Sequence, residues 1–353
     1  MLSFKMKTFY TVIIFFFLFI SCREKIVIDS VSGDGHLHIH TDVNVVGFPT
    51  MIIPSDNETT EEGIYLGRKL FYDSLLSGNK TMSCSSCHQQ SRSFSDDKRF
   101  SVGIQGIAGS MNASAIINPG WQSSAFWNGR ANSLEEQAES PVSNPIEMHL
   151  SWDIAVDRIK NHPTYPSDFK LVFGEEEITQ ELVVKALAQF ERTLISNKSK
   201  FDLFLVGQAD FNPMELAGYN LFLDEKAECF HCHGRPLFTD DELHNNGLDF
   251  IPDLGYEDVT GNIADRGKFR TPTLRNIQLT GPYMHDGRYQ TLEQVIDFYS
   301  DSIRTSATVD PLMPNDNGGF HWTDLEKRQL VAFLKTLTDT SFINNAEYSN
   351  PFN

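Results

Sequence analysis

Residues 82–90 read MSCSSCHQQ, and residues 228–236 read ECFHCHGRP. Each stretch holds one C-x-x-C-H pentapeptide, formed by Cys84, Cys87 and His88 and by Cys229, Cys232 and His233. This pentapeptide is the attachment signature of a c-type haem, in which both thiols add to vinyl groups and the histidine ligates the iron. The sequence therefore predicts two covalently bound haems.

Other uses of these cysteines fit less well. The chain has five cysteines, and Cys22 alone lies outside the two pentapeptides, so there is no material for a disulfide framework. A zinc ribbon needs its pairs roughly 15–20 residues apart and gives no reason for a histidine after each pair. A thioredoxin-like motif would explain one pair but not two identical pentapeptides.

The N-terminus is typical of an exported protein. Lys5 and Lys7 precede an apolar run at 9–20, whose 12 residues fall short of the about 20 that span a bilayer. Residues 1–21 are thus predicted to be an export signal ending in FISC, which resembles a bacterial lipoprotein signal with Cys22 as the lipidated residue. The alternatives are an ordinary cleavable signal or an uncleaved anchor with an idle Cys22. In each case the body faces the periplasm, where c-type haem is attached.

The net charge limits the partners. The formal charge is −18, and removing residues 1–21 deletes two lysines and no acids, which leaves about −20. Such a charge argues against nucleic acid as a partner and suits a small basic electron carrier.

The predicted fold is mainly α, with two haem domains and long irregular loops. Residues 22–58 are polar and without helical period, which predicts a flexible tether. Domains are predicted at 59–200, for the first haem, and at 201–345, for the second. The loops 90–130 and 234–290 are long enough to wrap a ligand. Amphipathic or helix-typical patterns occur at 59–73, 151–161, 179–196, 212–224, 291–299 and 323–339.

Six stretches resemble the bacterial di-haem cytochrome c peroxidases and the related MauG-type enzymes. They are GRKLFYD, SCSSCH, FWNGRANSLEEQAESPVSNPIEMH, CFHCH, DRGKFRTPTLRNIQLTGPYMHDGR and TLEQVIDFY, in family order between residues 60 and 340. The resemblance implies two cytochrome c-like domains, of which the N-terminal haem reacts with hydrogen peroxide. The C-terminal haem would take electrons from a small donor protein, a cytochrome c or a cupredoxin, and a homodimer is compatible with it.

The same resemblance assigns roles to individual residues. It makes Glu147 the catalytic carboxylate at the peroxide face, Gln137 a residue lining that pocket and Trp127 the tryptophan between the haems. A carboxylate suits peroxide cleavage because it can move a proton from the inner to the outer oxygen. The resemblance also implies that His88 and His233 are the proximal iron ligands and that Arg270 lies near the haems. It implies a calcium site between the domains, formed by Asn112, Thr280 and Pro282.

Two departures from the family pattern bear on the subtype. Many members place a histidine in the loop after the first haem motif as a distal ligand, and this chain has Ile104 there, with no histidine between His88 and His149. We therefore expect an open distal site. At the second haem, the position of the usual methionine ligand holds Tyr299, as in MauG-type enzymes, and a phenolate should lower the haem potential. Met313 is the alternative ligand, and Met284 a weaker one.

The predicted function is a di-haem peroxidase with MauG-like ligation. The first alternative is an oxidase that modifies a protein or organic substrate by long-range electron removal. MauG chemistry uses a surface tryptophan just before the second haem motif, whereas this chain has Ala227 there. The second alternative is a non-catalytic electron-transfer protein, which an open first haem argues against.

Overall fold

The computed structural model describes residues 43–174, 177–314 and 318–352. The export signal, Cys22 and the tether up to residue 42 lie outside the described residues. The α-helices are α1 Glu61–Tyr72, α2 Leu134–Ser143, α3 Trp152–Lys160, α4 Tyr165–Phe173, α5 Gln180–Arg192, α6 Lys200–Leu205, α7 Pro213–Phe222, α8 Cys229–Cys232, α9 Glu257–Thr260, α10 Leu292–Asp301, α11 Asp324–Lys335 and α12 Thr340–Ile343. Short 3-10 turns lie at Ser74–Leu76, Cys84–Ser86, Gln90–Arg92, Pro119–Trp121, Ile263–Asp265, Ile277–Leu279 and Ala346–Tyr348.

The helices begin where side chains can cap them. The hydroxyl of Thr60 accepts a hydrogen bond from the Gly63 N–H at 3.1 Å, and Thr179 caps α5 in the same way. Thr291 and Thr323 form capping boxes at the starts of α10 and α11. Each cap satisfies backbone donors that the first turn leaves unpaired.

Two hydrophobic cores divide the chain. The first contains residues of α1 to α5, and the second is built on α6, α7, α10 and α11. In each core the helix before the haem motif crosses a later helix at a glycine. A Cβ on Gly67 of α1 would lie 1.9 Å from the Ala186 carbonyl oxygen, and one on Gly218 of α7 would lie 1.9 Å from that of Gln329. Only glycine allows two helix backbones to approach so closely. The two halves therefore pack their helices in the same way, with a glycine at the crossing.

The described residues contain little sheet. Strands β1 Leu243–His244 and β2 Phe269–Arg270 pair antiparallel, with Leu243 opposite Arg270 and His244 opposite Phe269. Apart from the four-residue helix α9, the rest of the stretches 90–130 and 234–290 consists of short turns and irregular backbone, as predicted. The structure thus confirms a mainly helical fold with little sheet. The pairing of β1 with β2 also brings His244 and Arg270 together.

Both ends of the described chain pack differently from the predicted division. Within the predicted tether, Met51 is 4 % exposed, and Phe48 packs edge-on against Trp121 with ring centroids 5.3 Å apart. The folded body therefore starts before residue 59. At the other end, Phe342 packs against Phe94 at 5.7 Å. Residues after 339, assigned by the prediction to the second domain up to 345, thus return to the first core.

Candidate haem sites

The first C-x-x-C-H forms a tight turn. Residues Cys84–Ser86 make a 3-10 turn, and the His88 N–H donates to the Cys84 carbonyl oxygen at 3.0 Å. The Nδ1 of His88 lies 3.0 Å from the carbonyl oxygen of Phe94. A carbonyl can only accept, so Nδ1 carries the proton and Nε2 is left free for a metal. Burial lowers the pKa of His88, which keeps the imidazole neutral as ligation requires.

The second C-x-x-C-H repeats this arrangement. Helix α8 covers Cys229–Cys232, and the His233 N–H donates to the Cys229 carbonyl oxygen at 2.9 Å. The Nδ1 of His233 lies 3.1 Å from the Phe238 carbonyl oxygen, and burial lowers its pKa as well. Both motifs therefore present two thiols and one free Nε2 on a single turn.

All four thiols of the motifs are free of disulfides. Burial raises the pKa of Cys84 and Cys87, and it raises the pKa of Cys229 and Cys232 to about 12. Such cysteines are protonated and weak as thiolate nucleophiles at neutral pH.

Glu147 is held against the loop that contains Ile104. Its backbone carbonyl accepts the Ile104 N–H at 2.9 Å, and its carboxylate accepts from the Asn144 amide at 2.6 Å. Burial raises the pKa of Glu147, against the lowering effects of the Asn144 hydrogen bond and the Arg130 charge. The Gly78 N–H donates to the Met148 carbonyl oxygen at 2.8 Å, so the segment that holds Glu147 packs on the loop that leads into the first motif. The structure thus brings Ile104 and Glu147 together beside that loop.

Gln137 and Trp127 are placed by different elements. Gln137 is half-buried on α2, and among the described residues no side-chain hydrogen bond joins it to Glu147. The indole N–H of Trp127 donates to the Asn112 carbonyl oxygen at 2.8 Å. The Trp127 carbonyl in turn accepts the Arg270 N–H at 2.8 Å. Trp127 therefore connects a loop of the first half to β2 of the second.

A large cavity surrounds His233. It encloses about 1720 Å³ of space free of protein atoms, its open mouth included, and Trp127 and Tyr299 are part of its wall. Arg270, which is 5 % exposed, also lines it. The Nε and Nη1 of Arg270 make no hydrogen bond to the protein, and Nη1 is 3.6 Å from the Asp241 carboxylate. A buried guanidinium with unpaired N–H groups calls for an anionic group inside the cavity.

Tyr299 and two methionines lie on this cavity together. Tyr299, in the last turn of α10, lines it along with Met284 and Met313. The Asn246 amide donates to the Tyr299 hydroxyl at 3.1 Å and lies 3.7 Å from the Met284 sulfur. Burial raises the pKa of Tyr299 to about 12 in the absence of a metal. The geometry leaves both Tyr299 and Met313 as ligand candidates.

The three residues of the implied calcium site, Asn112, Thr280 and Pro282, all line the cavity around His233. The Asn112 amide donates to the carbonyls of Lys98 at 3.1 Å and Arg99 at 3.2 Å. The Thr280 hydroxyl donates to the Ile277 carbonyl at 3.3 Å. A calcium ion held by these residues stays a prediction.

Sequence reasoning missed His244, which also lines the cavity. Its Nε2 lies 2.8 Å from Asp240 and its Nδ1 2.6 Å from Asp310. These hydrogen bonds, with that of Asp240 first, raise its pKa to about 9. Cys232, Asp240 and His244 also form the one cluster of potential metal-ligand side chains found within the described ranges. The i, i+4 spacing of Asp240 and His244 could have indicated their contact from the sequence. The contact with Asp310 could not be predicted in this way, because Asp310 lies far along the chain.

Comparisons with known proteins identify the family of this chain. Residues 61–210 match the sequence model of a family described as "Di-haem cytochrome c peroxidase". The chain is 40 % identical over 279 residues to the cytochrome c551 peroxidase of Nitrosomonas europaea, covering 77 % of this chain and 79 % of that protein. It belongs to the di-haem cytochrome c peroxidase family.

The MauG branch of the family is also similar. The methylamine utilization protein MauG of Methylorubrum extorquens is 38 % identical over 288 residues, which is 80 % of each chain. A crystal structure of "a MauG-like protein associated with microbial copper homeostasis" superposes with a TM-score of 0.80 at 38 % identity, covering 87 % of this chain and 99 % of that one. Membership makes this di-haem peroxidase an oxidoreductase with peroxide as acceptor, and it implies two haems, hydrogen peroxide and a cytochrome donor.

The residues of this di-haem peroxidase fit two haems. Each C-x-x-C-H offers two thiols and an imidazole with its Nε2 free, and the unpaired nitrogens of Arg270 face the cavity around His233. A porphyrin carboxylate is an anion that could satisfy this guanidinium. Ala227, where the MauG resemblance expects a tryptophan, is buried at 2 % exposure. Within the part of the chain that the structure describes, no helix is long and apolar enough to cross a membrane.

Proposed function

We propose that this chain reduces hydrogen peroxide at a haem held by Cys84, Cys87 and His88. Electrons enter through a second haem held by the second motif. The proposal rests mainly on the repeated C-x-x-C-H turn, in which a backbone carbonyl fixes the histidine, and on Glu147, whose segment packs on the loop before the first motif. When bound, the first haem supplies the coordination position and electrons for O–O cleavage.

Glu147 moves the proton. The carboxylate takes a proton from the inner peroxide oxygen and returns it to the outer oxygen, which then leaves as water. The Asn144 amide holds the Glu147 carboxylate at 2.6 Å. Burial raises the pKa of Glu147, so its carboxylate takes the peroxide proton more readily than an exposed carboxylate would. Gln137 is assigned to the same pocket and Trp127 to electron passage between the haems.

The distal position of the first haem is proposed to be open. The Ile104 N–H donates to the Glu147 carbonyl oxygen at 2.9 Å, which supports placing the residue that replaces the histidine of many family members at the peroxide pocket. An isoleucine cannot ligate iron. The resting enzyme should therefore bind peroxide without a prior reduction that expels a ligand.

The second haem is assigned to electron transfer. His233 is its proximal ligand and Tyr299 its second ligand, with Met313 as the alternative. Arg270 is proposed to pair with a haem carboxylate, and a calcium ion to lie at Asn112, Thr280 and Pro282. The two haem units correspond to two cytochrome c-like domains, and their shared glycine crossings support this division.

We place the protein on the periplasmic side of the cell envelope. This placement is supported by the export signal predicted at residues 1–21. We assign a lipid anchor to Cys22. Cys22→Ala should move the protein from the membrane fraction to the soluble fraction. An unchanged distribution would remove the anchor and leave the rest of the proposal standing.

The direct test is turnover of the haem-loaded protein. With reduced cytochrome c or a reduced cupredoxin as donor, the protein should consume one peroxide for every two donor molecules oxidised. Protein that carries both haems but shows no peroxide-dependent donor oxidation with either donor would contradict the proposal.

A MauG-like oxidase is the second candidate. Tyr299 on the cavity of His233 favours it, together with the 38 % identity to a MauG protein. It predicts slow turnover with small donors and a long-lived oxidised state after peroxide. A non-catalytic electron-transfer protein would instead show two unreactive six-coordinate haems.

A further inference from the structure

Trp322 joins the cavity of the second haem to the protein surface. Its side chain is part of the cavity wall together with Cys229 and His233, and the residue is 5 % exposed. The ring of Phe320 stacks on it with the centroids 5.1 Å apart and the planes 3° from parallel. The wall of the cavity is therefore aromatic at this point.

The outer edge of the indole reaches an exposed residue. The Nε1–H of Trp322 donates to the carbonyl oxygen of Lys226 at 3.1 Å. The side chain of Lys226 is 52 % exposed and pairs with Glu326. One hydrogen bond thus connects the indole to Lys226, an exposed residue just before the second haem motif.

The backbone of Phe320 and Trp322 is hydrogen-bonded to α10. The Phe320 N–H donates to the Tyr299 carbonyl at 3.1 Å, and the Trp322 N–H donates to the Ser300 hydroxyl at 3.0 Å. The aromatic pair therefore has a set position relative to Tyr299. An indole needs this fixed position if it is to exchange electrons with a neighbouring cofactor.

We propose that Trp322, supported by Phe320, is the electron-transfer residue through which the donor protein reduces the second haem. The proposal rests on the proposed function, in which electrons enter at that haem. An electron passes from a donor docked over Lys226 across the Trp322 ring to the ferric haem, so the haem is reduced, the donor is oxidised and the indole keeps its own electrons throughout. Its Nε1 keeps the proton, because the facing carbonyl accepts a hydrogen bond but is too weak a base to take it. Two such passages supply the two electrons that, with two protons, convert one peroxide to two waters.

The alternative is that Trp322 only fills the core, as large buried aromatics usually do. The two roles differ in what they predict for different reductants. A core role would affect every reductant alike, whereas an electron-transfer role concerns the protein donor. Dithionite is small enough to reduce the haem without docking at Lys226.

The test follows the second haem by stopped-flow absorbance in the haem-loaded protein, without peroxide. Trp322→Phe should slow reduction by a reduced basic cytochrome c about tenfold or more, equivalent to roughly 1.4 kcal/mol in the barrier. Reduction by dithionite and the haem midpoint potential should stay unchanged. Trp322→Tyr, which keeps an electron-rich ring, should be intermediate. It also keeps the test valid if Trp322→Phe does not fold. Trp152→Phe is the matched control, because the Trp152 indole also donates to a carbonyl, that of Glu139 at 3.1 Å, and lies outside the cavity wall.

Three outcomes would overturn the proposal. These are equal rates for Trp322→Phe and Trp152→Phe with the cytochrome, an equal slowing with dithionite, and a Trp322→Tyr variant as slow as Trp322→Phe. Because peroxide is absent, this result is separate from the proposed peroxidase function. A Trp322-dependent second haem in a protein inert to peroxide would refute the peroxidase and retain the electron route.

Discussion

His88 donates its Nδ1 proton to the carbonyl oxygen of Phe94 over 3.0 Å. Phe94 is fully buried and has a φ of 58°, a conformation that few non-glycine residues adopt. Phe238 does the same for His233, with a φ of 56°. The two halves thus use the same local device to fix the tautomer and the ring of the histidine, which is a common way to orient a metal ligand.

Two covalent haems should be measurable by mass. Intact mass spectrometry of protein made with c-type haem maturation should show two haem additions. Cys84→Ala combined with Cys87→Ala should remove one of them, because the thioether bonds of the first site can no longer form. A double variant that still carries two haems, or wild-type protein with a bound zinc instead, would contradict the assignment.

Tyr299→Phe should change the second haem. If the phenolate is a ligand, its removal opens the coordination position, and the resting spectrum of that haem should gain a high-spin component. The first haem should still react with peroxide. Met313→Leu is the control on the same cavity wall and should leave the spectrum as it is. The reverse pattern would make Met313 the ligand.

Glu147→Gln should slow peroxide activation by about 10²–10⁴-fold, the usual loss when acid–base catalysis is removed. The amide keeps the size of the side chain, so both ferric spectra should change little. The measurement is the rate of the first-haem absorbance change after mixing with peroxide. Glu139→Gln, at an exposed acid on α2, is the control and should react like wild type.

The same experiment has a pH dependence. Burial raises the pKa of Glu147, and only the ionised carboxylate can accept the peroxide proton. The wild-type rate should therefore rise with pH through an apparent pKa above that of an ordinary carboxyl group, and Glu147→Gln should lack this step. A wild-type rate independent of pH across that range would contradict Glu147 as the base.

His244 should make stability depend on pH. Its pKa is raised from 6.5 to about 9 by Asp240 and then Asp310. A raised pKa contributes stability that is fully present below pH about 6.5 and is lost as pH rises through about 9. His244→Gln should flatten the fall in Tm over this window, whereas His321→Gln, at a half-exposed side chain, should not. A parallel fall in wild type and His244→Gln would refute the role of His244.

The predictable parts of the fold are those encoded locally. The helical patterns of residues 59–73 and 291–299 appear as α1 and α10, because threonine caps and apolar periodicity lie within each segment. Helix α2 was not predicted as a helix, since its sequence is polar and contains Pro141. A capped first turn at Ser133 and packing on α5 outweigh that proline.

The site divides in the same way. The haem-binding residues could be read from a pentapeptide whose members are adjacent in sequence. The partners of His244 and Trp322 could not, because Asp310 lies 66 residues from His244 and Lys226 lies 96 residues from Trp322. Such pairs are created by the return of the chain across the cavity. No local pattern encodes them.

The most direct test of the central claim is the reaction of the fully oxidised, haem-loaded protein with peroxide. Electron paramagnetic resonance of the resting protein should show a high-spin ferric haem, because Ile104, which the sequence resemblance aligns with the distal histidine of many family members, cannot ligate iron. Stopped-flow mixing with hydrogen peroxide should then change the haem absorbance at once, without any reductant. A resting protein in which both haems are low-spin, and which stays inert to peroxide until one haem is reduced, would contradict the open peroxide site.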